Sequence, residues 1–84
     1  MTKKRIYATA VGEPPEGTWS NCQVIDRHVY IAGMTSRSDE FNTIVGDNAY
    51  EQSKVIFDKI KALIEAAGGT MADIVKVNIF LTDV

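Results

Sequence analysis

Residues 47–82 read DNAYEQSKVIFDKIKALIEAAGGTMADIVKVNIFLT, and this stretch decides the fold. In its first half, apolar side chains repeat at intervals of three and four, while charges of alternating sign occupy the opposite face. This period predicts an amphipathic helix over residues 47–67, with Asp47 as its N-cap. Gly68 is expected to end the helix, because glycine readily adopts the left-handed conformation. A single apolar face indicates a helix that lies on a sheet.

The second half of the stretch predicts a β-strand over residues 74–82. Its side chains alternate with a period of two, so they form two sets that point to opposite sides. The first set is expected to pack on the helix, with Ile56, Ile60 and Leu63 facing Val75, Val77 and Ile79. The second set mixes Lys76 and Asn78 with Phe80, which fits burial by another subunit or in a pocket better than contact with water.

Upstream of the helix, three short strands are predicted at residues 5–9, 20–25 and 29–33. The last two are separated by a polar turn at Asp26, Arg27 and His28, which indicates a hairpin. Residues 11–17 contain two prolines and are therefore a loop. The order β-β-β-α-β predicts an α+β domain in which a helix covers one face of a sheet. With so few strands, the sheet is expected to be incomplete at its C-terminus.

Length and composition bound the functional classes. The 84 residues are at most one domain, and 45% hydrophobic with 24% charged residues is a globular composition that excludes disorder. The sequence has no apolar run long enough to predict a membrane span, and no apolar segment after its basic N-terminus that would predict a secretory signal. The single cysteine makes a reducing, cytoplasmic location the simplest prediction. Outside a basic cluster at residues 3–5, six basic residues face eleven acidic ones, which disfavours a nucleic-acid partner.

The sequence contains no complete catalytic or metal-binding motif, so the candidates for a functional role are single residues. Cys22 fits a small buried hydrophobe better than a nucleophile, and His28 fits an exposed turn residue better than a general base. Glu13 and Glu16 flank the two prolines and could form a carboxylate pair, but solvated loop charges are the favoured interpretation.

Trp19 and Gly33 are the stronger candidates for a binding site. Trp19 follows the proline loop, and its ring is suited equally to capping a cavity and to anchoring a core or an interface. Gly33 ends a strand, where it either releases the chain into a turn or exposes a backbone N–H to a ligand. The residues alone leave both alternatives open.

Several segments, in chain order, resemble the RidA family of reactive intermediate (imine/enamine) deaminases, also called YjgF-like. They are Gly46, Asp47 and Gln52, residues 65–68 (EAAG), residues 73–76 (DIVK) and residues 80–83 (FLTD). Residues 17–20 are similar to that family's Gly-Pro-Tyr-Ser element, and residues 30–34 to its strand ending in Ser-Gly-Gln. The resemblance implies a chorismate-mutase-like α+β fold, assembled as a homotrimer with pockets between subunits.

The resemblance also implies an activity, the hydrolysis of 2-imino or enamino acids to 2-oxo acids and ammonia. No metal or organic cofactor is implied, and the ligand is a small carboxylate-bearing molecule. The family's substrate-binding arginine and its acidic residue would fall beyond Val84, with a second helix and two strands, so no catalytic residue is assigned. We expect residues 1–84 to be the N-terminal part of a single RidA-like domain, inactive and poorly stable alone.

Four residues of the chain match the family's pocket. Trp19 stands where the family has Tyr, Ala32 where it has Ser and Met34 where it has Gln, while Gly33 is retained. We therefore predict Trp19, Ala32, Gly33 and Met34 as substrate-binding residues of one cleft. Two hydroxyls are lost and two large apolar groups are gained, which predicts a bulkier or less polar substrate, or binding without catalysis.

Three functions remain open at this point. The first is an imine deaminase, a hydrolase acting on C–N bonds, and it is the function that the resemblance to the RidA family supports most directly. The second is a non-catalytic small-molecule-binding or regulatory trimer of the same fold, which the altered pocket residues favour. The third is an endoribonuclease of the L-PSP type, which the acidic body disfavours.

Overall fold

The computed structural model describes residues 2–82, which form a three-stranded antiparallel sheet and one long helix. The strands are β1 (Lys3–Ile6), β2 (Cys22–Ile25) and β3 (His28–Ile31), in the spatial order β1-β2-β3. The helix is α1 (Ala49–Ala66), and a single 3-10 turn follows at Met71–Asp73. This arrangement is the α+β class that the sequence predicts.

The predicted hairpin between the second and third strands is confirmed, with a shorter turn than expected. Ile25 pairs with His28, so the turn consists of Asp26 and Arg27 alone and His28 belongs to β3. Asp26 has φ 55, a left-handed conformation that aspartate tolerates better than most residues. Its N–H donates to the carbonyl of Thr2 at 2.9 Å, which extends the pairing of β1 beyond Lys3.

The predicted strand boundaries need correction. The first strand was expected at residues 5–9 and lies at Lys3–Ile6, because the chain turns away shortly after Ile6. The turn is marked by the N–H of Val11, which donates to the carbonyl of Ala8 at 3.0 Å. β2 begins two residues later than predicted, and β3 ends two residues earlier.

The helix forms where its period predicts, but its N-cap is Asn48 and not Asp47. The Asn48 side chain accepts a hydrogen bond from the N–H of Glu51, and the Glu51 carboxylate accepts one from the N–H of Asp47 at 2.8 Å. At the other end, the N–H groups of Gly68 and Gly69 donate to carbonyls of the last turn at 3.0 and 2.9 Å. Gly68 has φ 94, so the predicted glycine termination is confirmed.

The helix lies on the sheet through Leu63, which is fully buried against Ile6, Val11 and Cys22. Ile6 and Cys22 are paired across β1 and β2, so their side chains lie on the same face of the sheet. Ile60, one turn before Leu63, is half-buried. The apolar stripe of α1 therefore meets the sheet, as its periodicity predicts.

The strand predicted over residues 74–82 is wrong for the part of the chain that the structure describes. These residues pair with no other strand within residues 2–82, and Val75 and Phe80 are 99% and 93% exposed. Val75, Val77 and Ile79 are all exposed, so the predicted burial of this face against Ile56, Ile60 and Leu63 does not form. The alternation specifies two faces, but a strand also requires a neighbour to which it can hydrogen-bond.

Candidate active site

A cleft of about 370 Å³ opens beside the end of β3. Three segments form its walls: the proline loop that follows β1, the chain immediately after β3, and the middle of α1. Its lining includes Val11, Gly12, Pro15, Trp19, Asn21, Gly33, Met34, Arg37, Glu40, Phe41 and Lys59. The cleft thus combines apolar rings and aliphatic groups with two cations and one carboxylate.

Three of the four predicted site residues lie together on this cleft. Trp19 follows a turn in which the N–H of Thr18 donates to the carbonyl of Pro15 at 3.2 Å, and it remains 47% exposed. Gly33 and Met34 continue directly from β3 into the cleft wall. Ala32 is not part of the lining, because its N–H donates to the carbonyl of Asn21 at 2.9 Å and continues the pairing beside β2.

Lys59 and Arg37 give the cleft a positive charge that sequence analysis did not predict. The Lys59 ammonium, on α1, donates to the carbonyls of Thr35 and Arg37 at 2.8 and 2.7 Å, which ties the chain after β3 to the helix. Burial lowers the pKa of Lys59 below its ordinary value, and the nearby Asp39 partly opposes that shift. The sequence does contain a signal, since Lys59 falls between Ile56 and Leu63 on the apolar face of the helix.

Asn21 is another lining residue that the sequence did not single out. It is 2% exposed, and its side-chain amide donates to the carbonyl of Gly12 at 2.9 Å and to the Glu13 carboxylate at 3.4 Å. A buried amide with its donors occupied fixes the loop between β1 and β2 in place. A polar residue next to a buried strand start was the available signal.

The remaining single-residue predictions have clear outcomes. Cys22 is fully buried in the core and burial raises the pKa of its thiol, which confirms a small hydrophobe. His28 is exposed at the start of β3, as expected for a residue at the turn. Glu13 and Glu16 are both exposed, and Glu13 forms an ion pair with Arg5 at 2.7 Å. Among residues 2–82, no three His, Cys, Asp or Glu side chains are grouped to hold a metal ion.

Comparison with known families gives a match over most of the chain. The family model described as Endoribonuclease L-PSP matches residues 10–84. This chain belongs to the Endoribonuclease L-PSP family. The resemblance to RidA proteins drawn from residues 46–83 is therefore confirmed.

Two curated proteins are similar to the chain at modest identity. It is 33% identical over 81 residues to a 2-iminobutanoate/2-iminopropanoate deaminase of Dermatophagoides farinae, covering 96% of the chain and 63% of the relative. It is 31% identical over 80 residues to a RutC family protein of Pyrococcus abyssi, covering 95% of the chain and 63% of the relative. The chain thus spans less than two thirds of the length of these relatives.

Solved structures of other proteins agree with the fold. A protein of unknown function from Pseudomonas aeruginosa superposes with a TM-score of 0.68 at 32% identity, covering 83% of this chain and 51% of that one. A Rid family protein of unknown function from Yersinia pestis gives a TM-score of 0.69 at 20% identity, covering 83% and 55%. Within residues 2–82, α1 is too polar to cross a membrane.

Proposed function

We propose that this L-PSP family protein hydrolyses 2-imino or enamino acids to 2-oxo acids and ammonia. The observation that carries the proposal is the cleft itself, in which Trp19 and Met34 provide apolar surface while Arg37 and Lys59 provide positive charge. A 2-imino acid has the matching chemistry, an apolar side chain next to a carboxylate. The name of the deaminase from Dermatophagoides farinae points to the same class of substrate.

The chemistry asks little of the protein beyond positioning. An enamino acid first tautomerises to the imine. Water adds to the electrophilic carbon of the imine, the C–N bond of the resulting tetrahedral adduct breaks to form the 2-oxo acid, and both protons of the water leave on ammonia. Arg37 and Lys59 would hold the carboxylate, and the Glu40 carboxylate at the cleft can accept a hydrogen bond from the attacking water.

The test of this proposal is ammonia release from a freshly generated imino acid. The complete protein is expected to release ammonia faster than buffer alone, and Trp19→Ala is expected to lower kcat/KM roughly tenfold or more. Tyr50→Ala, at a residue 77% exposed and outside the cleft, is the matched control. Equal rates for the Trp19→Ala variant and the unmodified protein would show that Trp19 is only a packing residue.

A second candidate function is a binding or regulatory protein of the same fold without turnover. It is favoured by Trp19 and Met34, which place no hydroxyl or amide where the family has Tyr and Gln. The same assay separates the two functions. Saturable binding of a 2-oxo acid without ammonia release from any imino acid would support the second function and contradict the first.

A pH dependence follows from the lowered pKa of Lys59. An anionic ligand interacts with the protonated amine, so this contribution is lost as pH rises through the lowered pKa. As pH rises, we therefore expect the affinity for a 2-oxo acid to decrease before pH 10.5 is reached, the pH at which an ordinary lysine is half protonated. Calorimetric titrations from neutral pH upward measure this loss.

The control for this pH dependence lies on the same helix. Lys59→Met should weaken binding at neutral pH and flatten the profile, whereas Lys61→Met, at an exposed lysine, should change neither. Arg37 also lines the cleft and is expected to leave residual binding in this variant. Identical profiles for the unmodified protein and Lys59→Met would contradict a role for the Lys59 charge.

We propose that the complete protein is a homotrimer and that residues 74–82 become a strand at the surface between subunits or against further chain of the same domain. The support is the large exposed apolar surface of Val75, Ile79 and Phe80. Light scattering that gave the mass of one protomer at micromolar concentration would contradict the trimer.

We propose the cytoplasm as the location of the protein. The free and buried Cys22 is compatible with that reducing compartment.

A further inference from the structure

Phe41 contributes a second aromatic ring to the cleft, one that has no part in the resemblance to the family. Its ring lies edge-on to that of Trp19, with 6.2 Å between the centroids and an angle of 85° between the planes. Both rings line the cleft. Neither belongs to the core cluster that contains Leu63, so their contacts serve the wall of the cleft and not the interior of the fold.

The loop that carries Phe41 is held by its own backbone hydrogen bonds. The N–H of Val45 donates to the carbonyl of Ser36 at 2.7 Å, and the N–H of Ser38 donates to the carbonyl of Thr43 at 2.8 Å. The N–H of Phe41 donates in turn to the carbonyl of Ser38 at 2.8 Å. All three bonds join backbone groups, so they can form without the Phe41 ring.

The backbone of Phe41 is strained. Its φ is 62, in the left-handed region that bulky residues rarely occupy and that asparagine adopts several-fold more often. Asparagine would adopt this backbone conformation with less strain, but the position holds Phe41, and the Phe41 ring forms part of the cleft wall. Strain of this kind concentrates at sites where a side chain acts on a ligand.

We propose that Phe41 and Trp19 together select 2-oxo and 2-imino acids whose side chain is aromatic or similarly bulky and apolar, over those with a methyl or ethyl side chain. The inference rests on the proposed function, in which Arg37 and Lys59 bind the carboxylate of the ligand. Val11, Pro15 and Met34 extend the apolar wall, and the volume of about 370 Å³ exceeds what a three-carbon acid fills. A phenyl side chain would contact both rings, whereas a methyl group would leave most of their surface in water.

Calorimetry with phenylpyruvate and pyruvate tests this selectivity without requiring turnover. The complete protein is expected to bind phenylpyruvate about tenfold more tightly than pyruvate. Phe41→Asn suits the left-handed backbone and removes the ring, so its thermal midpoint should be maintained while the preference for phenylpyruvate is lost. Phe41→Tyr keeps the ring and should keep the preference. Tyr50→Asn, outside the cleft, is the control.

The outcomes separate this inference from the proposed function. Pyruvate binding as tightly as phenylpyruvate, or an equal loss of both ligands in a folded Phe41→Asn variant, would overturn the selectivity and leave the deaminase proposal standing. Binding of neither acid, together with no ammonia release from any imino acid, would overturn the proposed function and the selectivity with it. Retention of the preference in Phe41→Tyr but not in Phe41→Asn supports the aromatic wall.

Discussion

Replacing Leu63 by alanine is expected to lower the free energy of unfolding by roughly 2–5 kcal/mol. Leu63 is fully buried between the helix and the sheet, where it packs with Ile6, Val11 and Cys22. Within residues 2–82, Leu63 and Cys22 are the largest side chains that are fully buried, so Leu63→Ala removes a large part of this core. Urea denaturation followed by circular dichroism measures the change.

Leu81→Ala is the matched control, because the deleted atoms are the same and Leu81 is 57% exposed. In a monomer, in which residues 74–82 remain in water, its effect is expected to stay within about 0.5 kcal/mol. A loss at Leu81 as large as at Leu63 would show that an assembly buries this segment, as the trimer proposal requires. A loss below about 1 kcal/mol at Leu63 would contradict its place at the centre of the core.

The elements that sequence reasoning predicted well are those specified by local signals. The helix has a three-to-four period and a glycine pair after it, and the hairpin has apolar runs on both sides of a polar turn. The error at the N-cap was one residue, because Asp47 and Asn48 are both good capping residues. The spacing from Asn48 to Glu51 fits a capping pair better than the spacing from Asp47, and it was the signal to follow.

The strand predicted over residues 74–82 failed for a different physical reason. Its alternation is strong, but alternation describes only the two faces of a strand. Hydrogen-bonded pairing depends on which chain lies alongside, and no neighbour is present within residues 2–82. A local pattern cannot supply that information, whereas the hairpin carries its own partner across a two-residue turn.

The candidate site was predicted only in part. Trp19, Gly33 and Met34 could be named because they occupy positions of the family's pocket, although only Gly33 keeps the family's residue, and the structure brings them onto one cleft. Arg37 and Phe41 could not be named, because only tertiary packing brings them to the cleft. The place of Lys59 on the apolar face of the helix signals burial, but it does not identify the groups that Lys59 contacts. Lys59 reaches carbonyls that are 24 and 22 residues earlier in the chain, a separation at which no sequence period operates. The binding roles of all these residues remain predictions.

The second large effect is expected at Gly12, where two segments of backbone approach each other closely. A Cβ atom on Gly12 would lie 2.5 Å from the carbonyl oxygen of Asp39 and 2.8 Å from its Cα. Because both are backbone atoms, Gly12→Ala must displace the loop that leads to Phe41. We expect it to lower the free energy of unfolding by about 1–3 kcal/mol and to weaken phenylpyruvate binding as the aromatic wall moves.

Gly33→Ala separates the effect on the ligand from the effect on the fold. A Cβ atom on Gly33 meets nothing within 4 Å in the described chain, and the φ of Gly33 lies outside the left-handed region, so stability should stay equal or rise by up to about 1 kcal/mol. Gly33 nevertheless lines the cleft, where the added methyl group takes space from the ligand. We therefore expect roughly tenfold weaker binding of a 2-oxo acid by a fully folded variant. Denaturation and calorimetry are measured on both variants. Normal binding by Gly33→Ala would contradict a place for Gly33 at the ligand, and a Gly12→Ala variant as stable as the unmodified protein would contradict the close backbone contact at Gly12.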